Sequence, residues 1–112
     1  MHIPKNGGTT FHSILGRMYP KEKTFSIEVI NDSRLNTEEF VNLSFKQRSG
    51  FDLLKGHMIF GLHNFLPGGN TEYITFLRKP EERILSFYYY VLRRPNHRLY
   101  KKIKEEKMSL YD

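Results

Sequence analysis

The 112-residue chain carries 18 Lys and Arg against 12 Asp and Glu, a formal net charge of +6, with 14% aromatic residues and no cysteine. That size bounds it to one domain with a modest core, residues 1–112, and its aromatic content suits a folded chain. A disulfide framework and a thiolate metal site are excluded, and no apolar run reaches the ~18 residues of a membrane-crossing helix.

The chain opens His2-Ile3-Pro4-Lys5-Asn6-Gly7-Gly8-Thr9-Thr10, a glycine turn with a lysine and two hydroxyls. A phosphate loop of this kind follows a buried strand of about five residues, and only Met1-His2-Ile3 stand there. Phe11, Ile14, Leu15 and Met18 share one helical face, which predicts a helix over 9–19, and Pro20 stops it. Phe25, Ile27 and Val29 alternate with polar neighbours, which predicts a strand over Thr24–Ile30, followed by a turn at Asn31-Asp32-Ser33. Thr37, Glu38 and Glu39 read as a helix start. That helix ends at Ser49-Gly50, with Phe40, Leu43 and either Val41 or Phe45 facing the core.

Asp52–Ile59 reads as a short strand running into a loop, Pro67-Gly68-Gly69-Asn70 as a turn and Tyr73–Leu77 as a short apolar strand. Pro80 suits the first position of a helix, with Glu81 and Glu82 in its first turn. Ile84, Leu85, Tyr88, Val91 and Leu92 share one side of it; Arg83, Ser86 and Tyr90 share the other. Pro95-Asn96 breaks the helix, and 97–107 reads as a basic, solvated helix. Strands alternating with helices predict an α/β domain with a mainly parallel sheet.

The positive excess is uneven: residues 1–23 hold four basic side chains and one acidic, 24–56 four and five, and 57–112 ten and six. The excess lies where the motifs lie, and a basic surface attracts anions of any kind. In the Lys5–Thr10 loop, two glycines let N–H groups turn inward, and the helix behind points its positive end at the same spot. Lys5 adds a charge; Thr9 and Thr10 add hydroxyl donors. The lysine precedes the glycines, so this is not a Walker A loop. The plainer alternative is a strand-to-helix turn with a threonine cap.

Arg78 ends the predicted strand at the rim where α/β sheets bind ligands, Arg83 follows, and Ser86 lies one turn further on the same face. A planar fork plus a hydroxyl suits a phosphate; the alternative is that Arg78 pairs with Glu81 or Glu82. His57 follows Lys55-Gly56 at a strand end, where a histidine can take a proton from a hydroxyl, or can be structural. His2, His12, His57, His63 and His97 show no zinc-ligand spacing. In Phe87-Tyr88-Tyr89-Tyr90, a tyrosine could stack on a base or pack in the core.

Taken together, the segments His2–Thr10, Gly56-His57 and Arg78-Lys79-Pro80-Glu81-Glu82-Arg83-Ile84-Leu85-Ser86-Phe87-Tyr88 resemble PAPS-dependent sulfotransferases (PAPS is 3′-phosphoadenosine-5′-phosphosulfate). The closer similarity is to the carbohydrate group that includes heparan and chondroitin/dermatan 2-O-sulfotransferases and their bacterial relatives. The resemblance implies a P-loop-like three-layer α/β fold, and sulfuryl transfer from PAPS to a hydroxyl of a carbohydrate-like acceptor, without a metal. It implies that Lys5 stabilises the leaving group and that His57 is the base. Lys5, Asn6, Gly7, Gly8, Thr9 and Thr10 would cradle the 5′-phosphosulfate, and Arg78, Arg83 and Ser86 the 3′-phosphate.

The near-absent leading strand and the early end after the 3′-phosphate segment imply a partial catalytic domain, truncated at both ends. The acceptor could be an acidic glycan; Arg93, Arg94, Arg98, Lys101 and Lys102 only hint at one, and a solvated helix face is the better reading of that patch. No specific nucleic-acid partner is expected. The lack of a visible leader favours a bacterial cytoplasm, with a clipped Golgi-lumenal domain as the alternative. The rival readings are a non-catalytic basic module that holds nucleic acid or acidic polysaccharide, and a small nucleotide kinase, which the absent Walker A lysine disfavours.

Overall fold

The computed structural model describes residues 1–31 and 34–109. The chain divides into two compact units, Met1–Phe76 and Leu77–Asp112, each mixed or helical in its own right.

The first unit begins with helix α1 (Gly8–Met18), close to the predicted span. Tyr19 leaves it in extended conformation. Strand β1 (Thr24–Ile27) then pairs in parallel with β4 (Leu53–Gly56), with Thr24 opposite Leu53 and Ile27 opposite Gly56. The predicted Thr24–Ile30 strand is therefore two strands. Its break has a cause in Asn36: the Asn36 side-chain oxygen accepts from Glu28 N–H at 2.7 Å, and its amide donates to the Ser26 carbonyl at 3.2 Å. Glu28 C=O accepts from Asn36 N–H. With Glu28 engaged by Asn36, the chain restarts as β2 (Val29–Asn31), antiparallel to β3 (Arg34–Leu35). Asp32 and Ser33 of the expected turn lie outside the described residues.

The expected single helix from Thr37 to Ser49 is also two, α2 (Thr37–Val41) and α3 (Phe45–Arg48). Ser44 caps the second through a reciprocal capping box with Gln47, which stabilises a new start there. The restart turns Phe45 out to solvent, 69% exposed, so it is Phe40 that anchors the core, with Val41 and Leu43 packed beside it. Ile27, Phe40 and Leu62 form the buried centre; Phe25, Phe51 and Leu54 wrap it, with the Phe25 and Phe40 rings 5.1 Å apart.

The segment Tyr73–Leu77 is not a strand; residues 71–79 form no helix or strand. A strand needs a neighbour to share its ladder, and the sheet holding β4 has only two strands among the described residues. The parallel sheet is thus small, and β4 ends at Gly56, whose φ of +119° and whose contact with the Ile27 carbonyl leave no room for a Cβ.

The second unit holds α4 (Pro80–Leu92) and α5 (Tyr100–Glu105). Pro80 occupies the first turn as expected, with Glu81 and Glu82 beside it. Val91 is buried, but Ile84 and Leu85 remain exposed. Within this unit α5 spans only about 9 Å at ~1.5 Å per residue, so it covers only part of the apolar side of α4. His97 packs edge-on to Phe87 and Tyr90, and the Tyr88 hydroxyl donates to the Met108 carbonyl at 3.3 Å. No helix among the described residues is long and apolar enough to cross a membrane.

Gly56→Ala combines a strained φ with a backbone collision, and should destabilise the chain by about 2–4 kcal/mol. A urea-unfolding midpoint would show it; a midpoint equal to the unaltered chain would contradict the close approach of β4 to Ile27.

Candidate functional site

Residue 2 is where the site is assembled. His2 N–H donates to the Gly56 carbonyl at 2.8 Å, and the His2 carbonyl accepts from His57 Nδ1 at 3.2 Å. A carbonyl only accepts, so the proton of a neutral His57 sits on Nδ1 and the lone pair on Nε2. Nε2 makes no hydrogen bond among the described residues and is not buried. His57 is therefore fixed in the form that can accept a proton from a ligand.

The chain then turns through Lys5 (φ 65°) and Gly7 (φ 79°), both left-handed, and α1 starts at Gly8. A non-glycine residue in that region is uncommon. Gly7 sits at the cap position with no side-chain cap bond, so the expected threonine cap is not the arrangement found. The N–H groups of Gly8, Thr9 and Thr10 have no acceptor within the helix and belong to its positive end, and the Thr9 and Thr10 side chains are exposed. A Cβ at Gly8 would collide with the His2 ring, which lies directly on this first turn.

The His2 ring stands 4.6 Å from that of His57 and 5.1 Å from that of His12. Burial, then the neighbouring His57, His12 and N-terminal charges, hold His2 below the ordinary imidazole range. Burial, then Lys55 and His57, do the same to His12, with Glu28 opposing. A cavity of about 520 Å³ is walled by His2, Gly8, Thr9, His12, Lys55 and His57. It brings the catalytic candidate His57 together with Gly8 and Thr9 of the loop. A larger cavity of about 720 Å³ shares the wall formed by His2, Gly8, His12 and Lys55, and extends past Asn6, His63 and Tyr73. Lys5 lines neither. Asn6 is 7% exposed and its Oδ1 is buried without a hydrogen-bond partner.

At the rim of the larger cavity the Tyr73 hydroxyl accepts from Gly61 N–H and His63 N–H at 3.2 and 3.3 Å. Both acceptor positions of the phenol are then filled, so its own proton goes to His63 Nδ1, 2.9 Å away. His63 thus carries its proton on Nε2, opposite to His57.

In the second unit, Arg78 stands just ahead of the capping residue Lys79, and Arg83 and Ser86 follow on α4. Arg78 is exposed and makes no ion pair with Glu81 or Glu82, so the pairing alternative is not the arrangement found. Ser86 is half-buried, about 9 Å along the helix from Pro80 by the helical rise.

The sequence assigns no site role to His2, beyond opening the loop segment, or to His12, and both show only poor zinc-ligand spacing. A signal was present: Gly8 and His12 are four residues apart on one helix and share a face, and a bare glycine there invites a ring. Among the described residues, no group of three or more His, Asp or Glu side chains is placed to hold a metal ion. Comparison with protein-family models, curated proteins and solved structures finds no match.

Because His2 and His12 are held below the ordinary value near 6.5, the unfolded chain binds more protons there, and stability falls as the pH drops through and below that value. The melting temperature should decline between pH 7.5 and 5.5, and His12→Gln should flatten the decline. An equal decline in the variant would contradict the burial of these rings.

Proposed function

We propose that the chain is the catalytic part of a PAPS-dependent sulfotransferase acting on a hydroxylated, carbohydrate-like acceptor, on a P-loop-like fold. One observation carries the reading. His57, fixed with its lone pair on Nε2, shares a cavity with Gly8 and Thr9 at the uncapped start of α1. A base and a set of oxyanion donors therefore face one small space, and transfer to a hydroxyl requires both.

The residues present fit the anionic end of such a donor: the three N–H groups of the first helical turn, two hydroxyls, a lysine in the same loop and a helix start with no side-chain cap. In the reaction His57 Nε2 takes the acceptor's hydroxyl proton as the acceptor oxygen bonds to sulfur. The bond from sulfur to the bridging phosphate oxygen breaks, and its electron pair stays on the phosphate. The loop N–H groups and Lys5 meet that growing charge, a role other transferases give to a metal. Arg78, Arg83 and Ser86 supply the fork and hydroxyl for the 3′-phosphate. An acidic glycan as acceptor would find seven exposed basic side chains between Arg93 and Lys107; none of them is in an ion pair among the described residues.

Those same exposed cations favour the second reading, a basic module that holds polyanions without chemistry. Turnover separates the two. With PAPS and an acceptor, His57→Ala should lower kcat by ~10²–10⁴-fold while leaving binding of the desulfated product, PAP, nearly intact. Lys5→Ala should lower kcat by ~10²–10³-fold. Calorimetry should show PAP bound more tightly than AMP, with that preference lost in Arg78→Ala. Equal affinity for PAP and AMP, with steep salt dependence and no effect of His57→Ala, would favour the polyanion module.

A further inference from the structure

The smaller cavity concentrates more proton-binding groups than a transfer reaction needs. His57 is assigned to the base, yet His2 and His12 stand beside it, and Lys55 completes the wall. We propose that this cavity is a proton-coupled oxyanion site: a tetrahedral sulfate or phosphate held between His2, His12 and Lys55 draws a proton onto His12. The proposal deepens the reading above, since a sulfuryl group is expected in the same space, and rests on it only for the identity of the biological ligand.

The geometry selects His12. The His2 ring lies on Gly8, and its Nδ1 is buried without a partner, so that nitrogen does not open to the cavity. His57 is already committed through Nδ1 to the His2 carbonyl. His12, four residues after Gly8, presents its ring to the cavity beside Lys55, and none of its ring nitrogens is hydrogen-bonded among the described residues. The charged and titratable groups around it are Lys55 and His57 from the end of β4, His2 and the Met1 amine from the incoming chain, and Glu28 opposite. Four of these five are cationic or become so on protonation. With the cavity empty, they disfavour a proton on His12, the direction in which burial already holds it. A bound dianion reverses the sign of the local field, and a protonated His12 then donates to it. A site of this kind holds oxyanions more firmly as the pH falls.

The test uses the whole chain and inorganic sulfate, against chloride at matched ionic strength. Histidine Cε1–H resonances followed against pH should show the His12 midpoint moved upward by sulfate. Sulfate affinity should weaken by up to about tenfold per pH unit between the sulfate-free and sulfate-bound His12 midpoints, as one linked proton requires, and His12→Gln should remove that dependence. A His12 midpoint unmoved by sulfate, or a sulfate affinity constant from pH 6 to 8, would overturn the proposal even if PAP binds. Sulfate-linked protonation without PAP binding would sustain it and leave the transferase reading to fail by itself.

Discussion

Both backbone polar groups of His2 are used to tie the entering chain to the end of β4, and the rest of the candidate site depends on that tie. Its N–H bonds to the Gly56 carbonyl and its carbonyl holds His57. The first bond fixes where the loop starts relative to the sheet. The second fixes which nitrogen of His57 is free. The His2 ring, swung onto Gly8, then sets how closely the loop can approach the helix start. Position, tautomer and packing thus pass through one residue. A change at Gly56 would disturb the site without touching any group assigned to the ligand.

The electrostatics follow from this packing. An uncapped helix start places partial positive charge at Gly8, Thr9 and Thr10. Three imidazoles and Lys55 gather around the same point, with Glu28 as the opposing acid in the cavity wall. In water such a gathering would cost little, because the charges would be screened. In a partly closed cavity it favours neutral His2 and His12 when empty and an anion when filled. The +6 charge of the chain says only that anions are attracted; the cavity says where one would be held.

The sequence was most legible where local rules decide the outcome. The face of Phe11, Leu15 and Met18 marked α1, and Pro80 with Glu81 and Glu82 marked where α4 starts. The Gly56-His57 element was found as a strand end because β4 does stop there. The misreadings have separate causes. Tyr73–Leu77 is apolar enough for a strand, but a strand exists only with a partner, and none runs beside it among the described residues. The Thr37–Ser49 stretch hid a capping box at Ser44 and Gln47, a signal the sequence did contain. The histidine cluster was only partly legible: the four-residue spacing of Gly8 and His12 stood in the sequence, but His2, His12 and His57 meet only once β4 and α1 are folded.

The central claim is that His57 is held as a base by the His2 carbonyl. Long-range ¹H–¹⁵N correlation of the histidine rings in the labelled chain, above the histidine midpoints, reads the tautomer directly. The expected result is a proton on Nδ1 of His57 and a bare Nε2, with the opposite arrangement at His63. A His57 protonated on Nε2 would contradict the claim, because that nitrogen could then only donate to an acceptor hydroxyl and could not take its proton.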